Sequence, residues 1–155
     1  MIPVACSVIC CIATQGFAFQ KSRNTENISA ADDVVKGDSC YAARHSFEAF
    51  KFYTAASGVS GTDSMLAWRF AKVYTAFALT AANQTDEAWN YNHAKYYADR
   101  ALQYDSSNEQ AHVALAVFNG WRTYFETDNK AKLQDSREMY DHVTRALILS
   151  VRRVR

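Results

Sequence analysis

The feature that most constrains this chain is an internal repeat: beginning near Ser64, residue character recurs at a spacing of 45 positions. Phe70 pairs with Leu115, Ala71 with Ala116, Arg100 with Arg145, Ala101 with Ala146 and Leu102 with Leu147. Within one period, Ala67, Phe70, Ala71 and Tyr74 fall at i, i+3, i+4 and i+7, which places them on one helix face. Ala94, Ala98 and Ala101-Leu102 form a second such face. Small residues let two helices approach closely while large ones fill the groove beside them. The pattern predicts an all-α, tetratricopeptide-like, right-handed solenoid of about three helical hairpins. Because the standard repeat is about 34 residues, the extra length is expected in a lengthened turn between the two helices of each hairpin.

In chain order, residues 1–19 stand apart, with no charge and three of the four cysteines. Three readings stand for this segment: a signal peptide with an apolar core at Val4 to Ala13, a membrane anchor interrupted by Ser7, Thr14 and Gln15, or an extension without fixed structure. Residues 20–29 are polar and aperiodic, which predicts a linker. The helical domain is expected over residues 30–150. It opens with a degenerate hairpin: a short helix from Ala30 to Lys36, a turn at Lys36-Gly37-Asp38, and a longer helix from Ser39 to Ala56. Gly37, Gly58, Gly61 and Gly120 are the glycines beyond the first segment, and most are expected at helix breaks. Thr62 or Asp63 is placed to cap the Trp68 helix, and Asn83 to Asp86 interrupts the pattern before a helix ending at Tyr104. Ser106 and Glu109 have capping-box spacing. Asp128-Asn129 breaks the chain before a last helix, about Lys130 to Ser150, whose buried side is expected to hold Met139, Val143, Ala146 and Leu147. Residues 151–155 read as a basic tail.

Several kinds of chemistry are disfavoured. With 17 basic and 16 acidic residues the chain lacks the basic excess of a nucleic-acid binder. Cys6, Cys10, Cys11 and Cys40 form no paired metal-ligand spacing, so no metal site is expected. His45, His93, His112 and His142 are scattered over four predicted helices, and His112, one period after Ala67, is read as a partly buried helix-face residue. No nucleophile motif, phosphate loop or zinc-helix histidine pair is present, which points to a noncatalytic chain without a cofactor. Asn27-Ile28-Ser29 and Asn83-Gln84-Thr85 fit the glycosylation triplet, which matters only in the secretory pathway. Tyr91, Tyr96, Tyr97 and Tyr104 on one helix are expected mainly to fill a thick core.

A more specific likeness lies in the same region. Ser64-Met65-Leu66-Ala67-Trp68-Arg69-Phe70-Ala71-Lys72-Val73-Tyr74 resembles the leading helix of the regulator of microtubule dynamics family. Tyr97 to Leu102, Ala111 to Gly120 and Asp141 to Leu149 follow in that family's order and spacing. The resemblance implies a noncatalytic interaction module that associates with microtubules and contributes to their organisation in the spindle and in chromosome segregation. The implied location is cytoplasmic and microtubule-associated. The N-terminal segment keeps open anchoring at the mitochondrion or endoplasmic reticulum, or secretion if it is a signal peptide.

Docking is expected on a concave surface formed by successive inner helices, with Arg69, Lys72, Tyr74, Asn119 and Arg122 as the partner-binding residues. Tyr74 and Asn119 lie one period apart and are expected to face the groove together. Since the net charge is only +1, attraction to an acidic microtubule surface must come from local groups of bases, with Arg152, Arg153 and Arg155 also available. The alternative is a membrane-anchored tether or a carrier whose hollow holds an apolar ligand such as a lipid. Self-association through an uncovered C-terminal end is a further expectation.

Overall fold

The computed structural model describes residues 29–60 and 64–153, and every element in them is a helix. These are α1 (residues 29–42), α2 (Ser46–Ser60), α3 (Ser64–Leu79), α4 (Gln84–Tyr104), α5 (Glu109–Phe125) and α6 (Asn129–Arg153). The expectations for residues 1–19, for Gly61 and for a cap at Thr62 or Asp63 lie outside the described residues. The 45-residue period is carried by the elements themselves, since α3 and α5 start one period apart, as do α4 and α6. The joining segments are short, at residues 80–83, 105–108 and 126–128. The length beyond a standard repeat therefore lies in the outer helices, with 21 residues in α4 and 25 in α6, and not in a lengthened turn.

Consecutive helices pack together from α2 to α6, and α3 also touches α5. The first helices of successive hairpins thus lie side by side with the second helices behind them, a tetratricopeptide-like stack. Alanines make the close approaches: Ala67, Ala71, Ala98, Ala101, Ala111 and Ala114 are buried around Leu115. Toward the first hairpin the filling is aromatic. Phe50 meets Phe70, Tyr74 and Phe77 edge to face, while Tyr97 stacks on Phe70 and Tyr74. Such pairs add about 0.5–1.5 kcal/mol each beyond their burial. Tyr91 is also buried, against Trp121, while Tyr96 and Tyr104 stay largely exposed.

The first hairpin departs from expectation. Residues 36–38 do not form a turn, because α1 runs through Gly37 to residue 42. A Cβ at Gly37 would come within 2.4 Å of Tyr53 Cε1. This glycine admits the buried Tyr53 ring and is not a helix breaker. Gly58 and Gly120 also lie inside helices, α2 and α5. α1 ends instead at residues 43–45, where Arg44 adopts φ 64°. There His45 N–H donates to the Cys40 carbonyl and Arg44 N–H to that of Tyr41, both at 2.9 Å, the two bonds of a Schellman cap.

The later helix starts follow the expected residues more closely. Asn83 Oδ1 accepts from Asp86 N–H at 2.9 Å, and one period later Asp128 Oδ1 accepts from Lys130 N–H at 2.6 Å and Ala131 N–H at 3.1 Å. For α5 the cap is Asn108, whose Oδ1 accepts from Ala111 N–H, and not Ser106. The last helix extends through Arg153, past the expected start of a basic tail, and Arg153 pairs with Glu109. Its inner stripe also differs. Asp135, Met139, His142, Ala146 and Leu149 recur at helical spacing toward α5, and Asp135 is fully buried. Val143 and Leu147, expected inside, are on the outer side and exposed.

Candidate functional site

The five residues expected to bind a partner have different fates. Tyr74 is 8% exposed and lies within the aromatic cluster, and Asn119 is 3% exposed. Both are core residues and neither faces a groove, because α3 and α5 turn these positions toward their neighbours. Arg69 is tied to Asp38 of α1: Nε donates to Oδ1 at 2.8 Å and Nη2 to Oδ2 at 2.6 Å, while Nη1 donates to the Met65 carbonyl. Tyr53 Oη donates to the same carboxylate at 2.8 Å. Asp38 loses some solvation by burial, but the Arg69 and Tyr53 hydrogen bonds and the charges of Arg69 and Lys72 outweigh it and hold its pKa below the usual carboxylate range. Arg69 is therefore neutralised within the fold and joins α1 to α3.

Arg122 is committed in the same way. Its guanidinium makes a two-pronged contact with Asp135 of α6, with Nε donating to Oδ2 at 2.7 Å. A carboxylate with no exposure requires such a partner, since an unpaired buried charge is strongly destabilising.

Lys72 is different. Among the described residues it has no carboxylate at ion-pair distance, and it rests on aromatic rings. Its Nζ lies 4.3 Å from the Tyr41 centroid and 5.0 Å from that of Trp68, whose face also receives the Arg69 guanidinium at 4.2 Å. Burial lowers the pKa of Lys72, Asp38 pulls it upward and Arg69 lowers it again. Trp68, Arg69 and Lys72 thus form a half-buried band on the side of α3 that meets α1, bordered by Tyr41. The pattern i, i+1, i+4 marks that side in the sequence. Nothing in the sequence signals Tyr41 or Asp38, which lie 31 positions before Lys72 and Arg69.

The structure also joins two histidines that the sequence left scattered. His112 Nδ1 lies 2.9 Å from His142 Nδ1, and His112 Nε2 lies 3.1 Å from the Ser106 carbonyl. A carbonyl only accepts, so Nε2 carries the His112 proton and Nδ1 receives the His142 N–H. Burial, then the His112 ring and Arg145, lower the pKa of His142, against smaller pulls from Glu138 and Asp99. Leu102, Ser106, Glu138, Asp141 and Arg145 complete a hollow of about 280 Å³ around the pair. His45, by contrast, sits in the turn between α1 and α2 and not on a helix, at the edge of a hollow of about 760 Å³ that also includes Tyr41, Phe47 and Leu79. Among the described residues no group of three or more His, Cys, Asp or Glu side chains could hold a metal ion, and no helix is long and apolar enough to cross a membrane.

These features define an all-helical repeat protein with charged and aromatic side chains arrayed on its helix faces. Residues 28–153 match the family of regulator of microtubule dynamics protein 1-3. The chain belongs to that family. No curated protein and no solved structure matches it.

Proposed function

We propose that this chain is a noncatalytic interaction module that associates with microtubules and acts in their organisation, with the Trp68 and Lys72 band of α3 as the contact. The observation that carries this reading is Lys72, a partly desolvated cation that has no carboxylate at ion-pair distance among the described residues, with Asp38 acting on it only from farther away. A carboxylate from an acidic partner would restore what burial removes, and a hydrogen bond between charged groups contributes about 1.5–3 kcal/mol. Trp68 and Tyr41 supply flat apolar surface around that contact. Family membership supports the choice of partner, since microtubule surfaces are strongly acidic. With Arg69 and Arg122 already paired inside, one cation on a band of this kind gives modest, salt-sensitive attachment.

The test is co-sedimentation of the full chain with polymerised tubulin at low salt. Lys72→Met keeps the apolar stem and is expected to weaken pelleting at least about tenfold, whereas Lys72→Arg retains it. About 0.3 M salt abolishes it through screening. Changing Arg153 and Arg155 to Gln is expected to have little effect. Pelleting that survives Lys72→Met, or that is lost with the two terminal arginines alone, overturns the reading. Charge reversal of Arg69 or Arg122 is unsuitable as a probe, because it sets two carboxylates against each other at Asp38 or Asp135.

A further inference from the structure

The hollow of about 760 Å³ opens between the turn that joins α1 to α2 and the C-terminal end of α3. Tyr41, Phe47, Ala76, Phe77 and Leu79 give it apolar walls, and Phe47 and Leu79 are 59% and 68% exposed. A space of this size admits an aromatic side chain together with the backbone on either side of it. It lies between the first hairpin and the second, inside the stack and not on an end face. Residue 76 leaves the space by being small. One period later Trp121 stands at the position of Ala76 and packs against Tyr91 and Phe118.

The hollow is continuous with the Lys72 band. Tyr41 belongs to both, since its ring lies 4.3 Å from Lys72 Nζ and also lines the space. Helices α1 and α3 run parallel here, because Asp38 meets Arg69 and Tyr41 meets Lys72. Ala76 follows Lys72 by one turn of α3, about 6 Å along the axis. On the facing wall Arg44 follows Tyr41, is exposed, and has no ion pair among the described residues. Two bases thus flank the apolar walls, against the single carboxylate of Glu48 on the lining.

That arrangement sets the occupant. Apolar, partly aromatic walls take an aromatic ring, and bases beside them take carboxylates. In an extended chain alternate side chains lie on one side about 6.6 Å apart, which matches the step from Lys72 to Ala76. Residues 1–28 do not supply such a segment, because their one acid, Glu26, is seven positions from their nearest aromatic, Phe19.

We propose that this hollow is the second half of the partner contact and takes an aromatic side chain from an extended acidic segment of the partner. Asp or Glu two positions from that ring meets Lys72, and another on its far side meets Arg44. The proposal rests on the Lys72 reading and adds to it the side chain that makes the contact selective among acidic surfaces.

The experiment uses the full chain and three short fluorescein-labelled peptides that differ only at their centres. The first carries Glu-Gly-Phe-Gly-Glu, the second has Ala for Phe, and the third has Lys for both Glu. Fluorescence anisotropy is expected to show the first binding at least about tenfold tighter than the second, from burial of the ring. It binds at least about threefold tighter than the third, from two exposed ion pairs. Ala76→Trp, which copies the next period, fills the hollow and removes the preference for Phe over Ala. Leu79→Ser reduces that preference without adding bulk, and circular dichroism stays unchanged because Leu79 is on the surface. Arg44→Asn, a residue that tolerates φ 64°, weakens the first peptide about threefold. Equal binding of the first two peptides overturns the proposal, as does a preference for Phe that survives both Ala76→Trp and Leu79→Ser. So does a dimer in light scattering, or capture of anionic vesicles, that Ala76→Trp abolishes while the peptides stay unbound. Co-sedimentation with tubulin reads the Lys72 contact separately. Pelleting that Lys72→Met abolishes, with no preference for Phe, refutes the hollow alone. Pelleting that Lys72→Met leaves intact, with the preference for Phe present, refutes the tubulin contact alone.

Discussion

At the scale of single residues, Gly37 shows how a side chain's absence can be a packing device. Replacing a glycine inside a helix by alanine normally adds stability, by roughly 0.5–1 kcal/mol. Here the added methyl would meet the Tyr53 ring, which is itself held by the bond from its hydroxyl to Asp38. Gly37→Ala is therefore expected to lower stability by about 1–3 kcal/mol, the usual cost of overpacking. Urea unfolding followed by circular dichroism checks the sign; a gain in stability would mean that the ring moves freely. The sequence could not reveal this use of glycine, because the ring that needs the space is 16 positions away. The five expected contact residues show the same limit. Helical spacing grouped Arg69, Lys72 and Tyr74 correctly on α3, yet which side of α3 remains free depends on where α1, α2 and α4 settle.

At the scale of elements, the joint between α5 and α6 has a built-in acid sensitivity. His142 is packed against His112 of α5, with Arg145 and Glu138 on its own helix and Asp99 on α4 as the nearby charges. Its pKa in the folded protein lies below the value of about 6.5 that it has in the unfolded chain. Between those two values the unfolded state binds more protons, so stability falls as pH drops. The contribution is complete above about pH 6.5 and is lost as pH falls through the folded value. We expect the urea midpoint to decrease between about pH 7.5 and 5.5, and His142→Gln to flatten that decrease. An equal slope in the variant would place the sensitivity elsewhere. The helix boundaries of these elements were largely readable. Asn83 and Asp128, one period apart, interrupt the hydrophobic pattern with side chains that bond free helix N–H groups. The inner stripe of α6 was not readable, since a helix apolar on two sides offers two equivalent seams. Polar partners decided between them: Arg122 draws in Asp135 and His112 draws in His142.

At the scale of the whole molecule, a repeat stack transmits stability only between neighbours. The first hairpin is joined to α3 by the aromatic cluster and by Asp38, which bonds Arg69 and Tyr53 at once. Asp38→Asn replaces a charged acceptor with a neutral amide and is expected to cost about 1–3 kcal/mol in that region. Hydrogen exchange should then accelerate in residues 29–60 and change little in α5 and α6. Uniform acceleration across all helices would show that the chain unfolds as one cooperative unit.

The sequence by itself determined the helical class and the 45-residue period, because close helix packing demands small residues at fixed intervals and those intervals are visible along the chain; the family was legible only through the resemblance of particular segments, Ser64 to Tyr74 above all. Tertiary structure alone decided which cations are spent and which are free. Arg69 and Arg122 find their carboxylates 31 and 13 positions away, on other helices, while Lys72 rests on aromatic rings with Asp38 beyond ion-pair distance. Ion pairing depends on distances of a few ångströms in space, and those are set by how the helices stack and not by spacing along one helix.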